Sequence, residues 1–111
     1  MRQSHTAILA RNETWTGEVE TEPYEVAWAS EAIFFFRSLQ PTALPEDLVL
    51  DVQISPDGIH WCNHGARLTL RGDPKSPSGV QVRDFGGWLR LNGELPDGLS
   101  LKVLVYLSLK E

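Results

Sequence analysis

The chain has 111 residues, 41% hydrophobic and 23% charged, with a formal net charge of −5 at pH 7. That balance suits one globular domain over 1–111, long enough to bury roughly two-thirds of the surface its unfolded chain exposes. Its single cysteine, Cys62, excludes an internal disulfide framework, and no apolar run approaches the ~20 residues of a membrane span.

Taken in chain order, the sequence reads as a series of short strands. HTAILA (5–10) is the first candidate, and the opening MRQSHTAILARNETW (1–15) has no apolar stretch long enough for a secretory signal, so none is expected. EVETEPYEVAWA (18–29) follows, with Pro23 marking an edge strand or a break. Here the charge is lopsided: Glu13, Glu18, Glu20, Glu22, Glu25 and Glu31 fall between Arg11 and Arg37 with no basic residue among them. No cluster of Lys and Arg is visible to supply phosphate contacts, so nucleic acid is not an expected partner. AIFFFRSL (32–39) carries bulky rings on both faces of one strand. In DLVLDVQIS (47–55), Leu48, Leu50, Val52 and Ile54 alternate with polar residues, the signature of a half-buried strand.

ARLTL (66–70), GVQVRDF (79–85) and WLRLN (88–92) are shorter, separated by the Gly/Pro/Ser-rich stretch RGDPKSPSG (71–79), which reads as an exposed loop. The longest alternation closes the chain: Leu99, Leu101, Val103, Val105, Leu107 and Leu109 share one face of LSLKVLVYLSLK. Turn chemistry lies between candidates, at Pro56-Asp57-Gly58, Gly86-Gly87, Asn92-Gly93 and Pro96-Asp97-Gly98. No segment sustains a helical period. The expected fold is all-β: an antiparallel β-sandwich, jelly-roll-like, of about eight strands.

The stretch ISPDGIHWCNHG (54–65) crowds His60, Cys62 and His64 together and invites a metal reading. Residues two apart on a strand lie about 7 Å apart, so three in a row do not readily close a tetrahedron. A turn accounts for the stretch better. Ser55 and Asp57 can accept backbone amides, Pro56 sets φ, Gly58 can take positive φ, and Trp61 begins the return strand over the hairpin or into the core. The S-P-D-G-I-H-W run is similar to the Asp-box hairpin of sialidase-type propellers but lacks a residue between Asp and Gly. Arg71-Gly72-Asp73 spells the integrin tripeptide and Asn12-Glu13-Thr14 a glycosylation sequon, neither meaningful without export. No catalytic motif, cofactor loop or metal-ligand spacing is visible, so neither an enzyme nor a cofactor is expected.

Ser55, Asp57, Gly58 and Trp61, then Gly79, Val80, Val82, Asp84, Phe85, Gly86, Trp88, Leu89, Arg90 and Leu91, then the closing strand 99–110, form a pattern. It resembles small β-sandwich structural proteins of tailed phages and prophages, of the head or capsid-accessory kind. The resemblance covers about 31–110, and the acidic first thirty residues depart from it as a possible edge strand or arm. It implies a virion or cytoplasmic structural protein whose partners are a capsid-like shell and copies of itself. The aromatic surplus agrees with that expectation. Trp15, Trp28, Phe35 and Val26 are candidates for a subunit contact, since a strand apolar on both faces is either covered or faces a partner. The rival expectation is a carbohydrate-binding module, with Trp15, Trp28 or Trp88 stacking on sugar rings.

Overall fold

The computed structural model describes residues 3–111. Nine strands follow in order: β1 (Ser4–Trp15), β2 (Glu18–Glu20), β3 (Tyr24–Glu25), β4 (Glu31–Ser38), β5 (Val49–Ser55), β6 (Cys62–Thr69), β7 (Ser78–Val82), β8 (Trp88–Glu94) and β9 (Leu101–Lys110). Every pairing is antiparallel. The first sheet has the order β1-β9-β4-β7, and the second β2-β8-β5-β6 with β3 also on β8. The pairing is nested: β1 takes β9, β2 and β3 take β8, β4 takes β7, and β5 takes β6. A long antiparallel ribbon has in effect been wrapped so that β4 meets β9 and β5 meets β8, which is the two-sheet jelly roll.

There are nine strands where about eight were expected because the second candidate breaks at Pro23, which lacks the amide a ladder needs. The two pieces share one strand position along β8, with Glu20 opposite Asn92 and Tyr24 opposite Leu89. β1 runs further than its sequence pattern suggests. Register shifts between Ile8 and Ala10 and between Arg11 and Glu13 break its alternation, and Asn12 takes a positive φ of 54° at the second. Asn92-Gly93 is not a turn. It lies within β8, where a Cβ on Gly93 would come within 2.5 Å of Leu50 Cδ2, so the glycine allows a close approach between strands.

The core is the space between the sheets. Leu101, Val103, Val105, Leu107 and Leu109 of β9 are fully buried there with Phe34, Phe36, Leu50, Val52, Leu68, Leu89 and Leu91. Buried polar groups are satisfied: Ser38 Oγ donates to the Gln40 carbonyl at 2.6 Å, and Thr21 Oγ1 accepts the Leu91 amide at 2.9 Å. The triple phenylalanine resolves by pleat, with Phe34 and Phe36 inward and Phe35 outward and 40% exposed. Replacing one of them by alanine therefore separates the faces. Phe34→Ala should lower unfolding free energy by about 3–5 kcal/mol through the cavity it leaves. Phe35→Ala should cost under about 1 kcal/mol in the same urea titration of monomeric protein.

Candidate functional site

The β5–β6 hairpin is built by side chains that stand in for backbone acceptors. Ser55 Oγ accepts the amides of Gly58 (2.8 Å) and Asp57 (3.2 Å) and pairs with Asp57 Oδ1 at 2.9 Å. Asp57 Oδ1 accepts the amides of Ile59 and His60, both at 2.9 Å, while Oδ2 meets His60 Nδ1 at 2.8 Å. Gly58 has φ of 78°, and a Cβ there would lie 3.1 Å from the Trp88 ring. The turn is thus closed over Trp88, whose ring forms its floor.

His60, Cys62 and His64 do not converge. His60 is held by Asp57, and the His64 ring binds the Arg83 carbonyl across the gap to β7. A wide bulge separates them from regular pairing: Gln53 faces Asn63 and Asp51 faces Arg67, leaving His64, Gly65 and Ala66 opposite Val52 alone. Among the described residues no group of three His, Cys, Asp or Glu side chains is placed to hold a metal ion. Trp61 is half-buried and lies outside the core. Its ring lies under the Arg90 guanidinium, 4.3 Å from Cζ to centroid. Arg90 Nε donates to Gln53 Oε1 at 2.8 Å, Gln53 Nε2 donates to Asn63 Oδ1 at 3.0 Å, and Arg90 also pairs with Glu20. Arg90 thereby ties β8 to β2, β5 and the hairpin's return limb, a role that no local sequence signal marks.

The aromatic candidates part company. Val26 is a correction: it is fully buried, its amide bonded to the Gly87 carbonyl at 2.7 Å, so it belongs to the core and cannot be a surface contact. After the break at Pro23 the pleat no longer decides which way that segment faces. Trp15 is half-buried and stacked on Phe36 with centroids 6.1 Å apart. With Leu9, Glu13, Glu20, Thr21 and Glu22 it lines an acidic cleft of about 80 Å³. Trp88 is occupied by the hairpin. Trp28, 37% exposed, and Phe35 remain open to solvent. Trp15, Trp28 and Trp88 therefore form no common stacking platform. The RGD loop is spent on its own turn: Asp73 accepts the Lys75 amide at 2.9 Å and the Ser76 hydroxyl at 3.2 Å, and the Gly72 carbonyl accepts the Thr42 amide.

The outer face of the first sheet carries two of the exposed large apolar side chains, Ile8 and Phe35, while Ile59, more exposed still, lies in the hairpin turn. Register aligns Ile8, Tyr106, Phe35 and Gly79 in one row across β1, β9, β4 and β7. The neighbouring rows bring Thr6, Ser108, Ile33 and Gln81 on one side and Arg11, Leu104 and Arg37 on the other. Ile8 is 43% exposed, among the most open large apolar side chains of the chain. The face continues into a shallow groove of about 150 Å³ between Ile33, Gln81, Arg83, Ser108, Lys110 and Glu31.

The chain matches no protein-family model and no curated protein by sequence. Its fold is similar to that of solved structures at low sequence identity. The SPBc2 prophage-derived protein YomS aligns over 100% of this chain and 96% of its own, with TM-score 0.64 and 10% identity. A chain of the infectious bursal disease virus Gx strain structure aligns over 98% of this chain but 32% of its own, with TM-score 0.50 and 13% identity. The module CpGH89CBM32-5 from Clostridium perfringens, solved with GalNAc-β-1,3-galactose, aligns over 94% of both chains with TM-score 0.50 and 10% identity.

Two measurements test the hairpin. Gly58→Ala should destabilise the protein by about 1–3 kcal/mol, since alanine is strained at that φ and meets the Trp88 ring. The amide and ring of His60, with the Ile59 amide, hold the Asp57 carboxyl well below the usual carboxylate range. Its folded pKa is depressed, so the stabilisation is complete above the unfolded value of about 4 and is lost as pH falls toward the folded one. The stability gap between wild type and Asp57→Asn, measured by urea unfolding, should be present at neutral pH. It should narrow steadily below about pH 4.

Proposed function

We propose that this chain is a structural assembly protein of the phage type. In this reading it is a capsid-accessory or decoration protein that performs no catalysis and acts through contacts with copies of itself and with a capsid-like shell. The observation that carries the reading is the outward row Ile8–Tyr106–Phe35, an apolar strip across three strands of a sheet whose other face already holds the core. A strip of that kind gains by burial, at roughly 25 cal/mol for each Å² of apolar surface removed from water. The likeness of fold to a prophage protein and to a chain of a virus structure supports the same class. In the virion, such a protein would need only a rigid sandwich and a complementary surface. Light scattering after size exclusion should find a mass above that of one chain at high concentration, or co-sedimentation with a candidate shell. A strict monomer that ignores shells would remove the proposal.

A second reading, a carbohydrate-binding module, is favoured by the open Trp28 ring and by the fold of the Clostridium module. Titration with GalNAc-β-1,3-galactose should then change tryptophan fluorescence in wild type and leave Trp28→Ala unchanged. A flat titration against this and a panel of other glycans would set this reading aside.

A further inference from the structure

We infer that the outer face of the first sheet receives the acidic outer face of the second sheet of another copy, in a head-to-tail contact. This rests on the assembly reading and specifies which surfaces meet.

The two faces carry opposite, uncompensated charge. On the first sheet, Arg11 and Arg37 flank Leu104 in one row, Lys102 sits in the next and Lys110 at the far end. The only carboxylate in those rows is Glu31, which pairs with Arg83 at 3.2 Å. None of Arg11, Arg37, Lys102 and Lys110 has an ion pair among the described residues. On the second sheet the cations are consumed, Arg67 by Asp51 and Arg90 by Glu20. Glu18, Glu25 and Glu94 are left without a cation, and Glu18 stands directly opposite Glu94 in the β2–β8 register. Like charges directly opposite on a ladder are destabilising. A cation brought from outside the chain relieves that pair, and the first sheet of a second copy presents such cations.

Face-to-face pairing of two first sheets is disfavoured by the same residues, because a two-fold contact would set this cationic surface against itself. The head-to-tail arrangement has no such conflict. The size reaches the low end of specific interfaces: four strands roughly 4.8 Å apart and a ten-residue β9 rising about 3.4 Å per residue make a face of about 600 Å². A standard interface uses ~800 Å² per partner. Because the two surfaces differ, the contact repeats, and it closes into a ring or extends as a filament according to the rotation between copies.

The test uses two half-blocked proteins. One carries Arg11→Gln, Arg37→Gln and Lys102→Gln; the other carries Glu18→Gln and Glu94→Gln. Sedimentation velocity should show concentration-dependent association of wild type, weakening between ~0.05 and ~0.5 M salt as exposed charges are screened. Each variant alone, with a wild-type circular dichroism spectrum and melting profile, should associate at least tenfold more weakly. Mixed, they should form a one-to-one dimer that grows no further, since one acidic and one basic face survive between them. Variants that associate as wild type does, or that stay monomeric when mixed, would overturn the inference and leave the assembly reading standing. A wild type that binds no copy and no shell would remove both. A monomeric wild type that binds a duplex DNA probe through the residues of the triple variant would assign the basic face to a polyanion and also overturn it.

Discussion

β9 has two neighbours and a roof, and the fold follows from that. Its inward side chains, Leu101, Val103, Val105, Leu107 and Leu109, are all fully buried, each contributing roughly 1.5–3 kcal/mol relative to exposure. A strand that apolar on one face must lie inside a sheet covered by a second sheet. β1 from the beginning of the chain takes one edge and β4 the other, so both strands that β9 pairs with are distant from it in sequence. The second sheet is made from the alternate pairs of the same nested ribbon, β2–β8 and β5–β6, joined where β5 meets β8.

The closure also decides what is left for function. With the core satisfied from within, the outer face of the first sheet has no structural use for Ile8, Phe35 or its cations, whereas the outer face of the second is knitted together by Arg90, Gln53, Asn63 and Glu20. The hairpin belongs to that second network. Its Ser55, Asp57 and Gly58 serve the turn, and its floor and return limb are Trp88 and Trp61, so the histidines that draw attention in sequence are accessory to a chain reversal. One face is left apolar and cationic, the other knitted together by Arg90 yet left acidic at Glu18 and Glu94. That asymmetry is the physical basis of the proposed assembly.

Much of this was legible along the chain. Strict alternation in 99–110 and 47–55 announces β9 and β5, because a period of two has one structural meaning when only one face is buried. The turn chemistry at 56–58 likewise points to its hairpin, since each residue acts on amides within a few positions of itself. Legibility fails where the pleat is interrupted. Bulges hide the length of β1, Pro23 divides the second candidate, and past that break Val26 faces inward when its neighbourhood suggests a surface. Asn92-Gly93 misleads for another reason: glycine marks a turn or a close approach equally well, and only Leu50, 43 residues earlier in the numbering, distinguishes them.

By itself, then, the sequence determined the class of fold, the main strands and the turns at 56–58 and 96–98, all of which depend on interactions between residues near one another in the chain. The tertiary structure alone decided the nested order of strands, the burial of Val26, the stacking of Trp61 under Arg90, and the gathering of scattered Arg, Lys and Glu residues onto opposite faces. Those depend on which distant strands become neighbours, and hydrophobic periodicity says how a strand faces without saying what lies beside it.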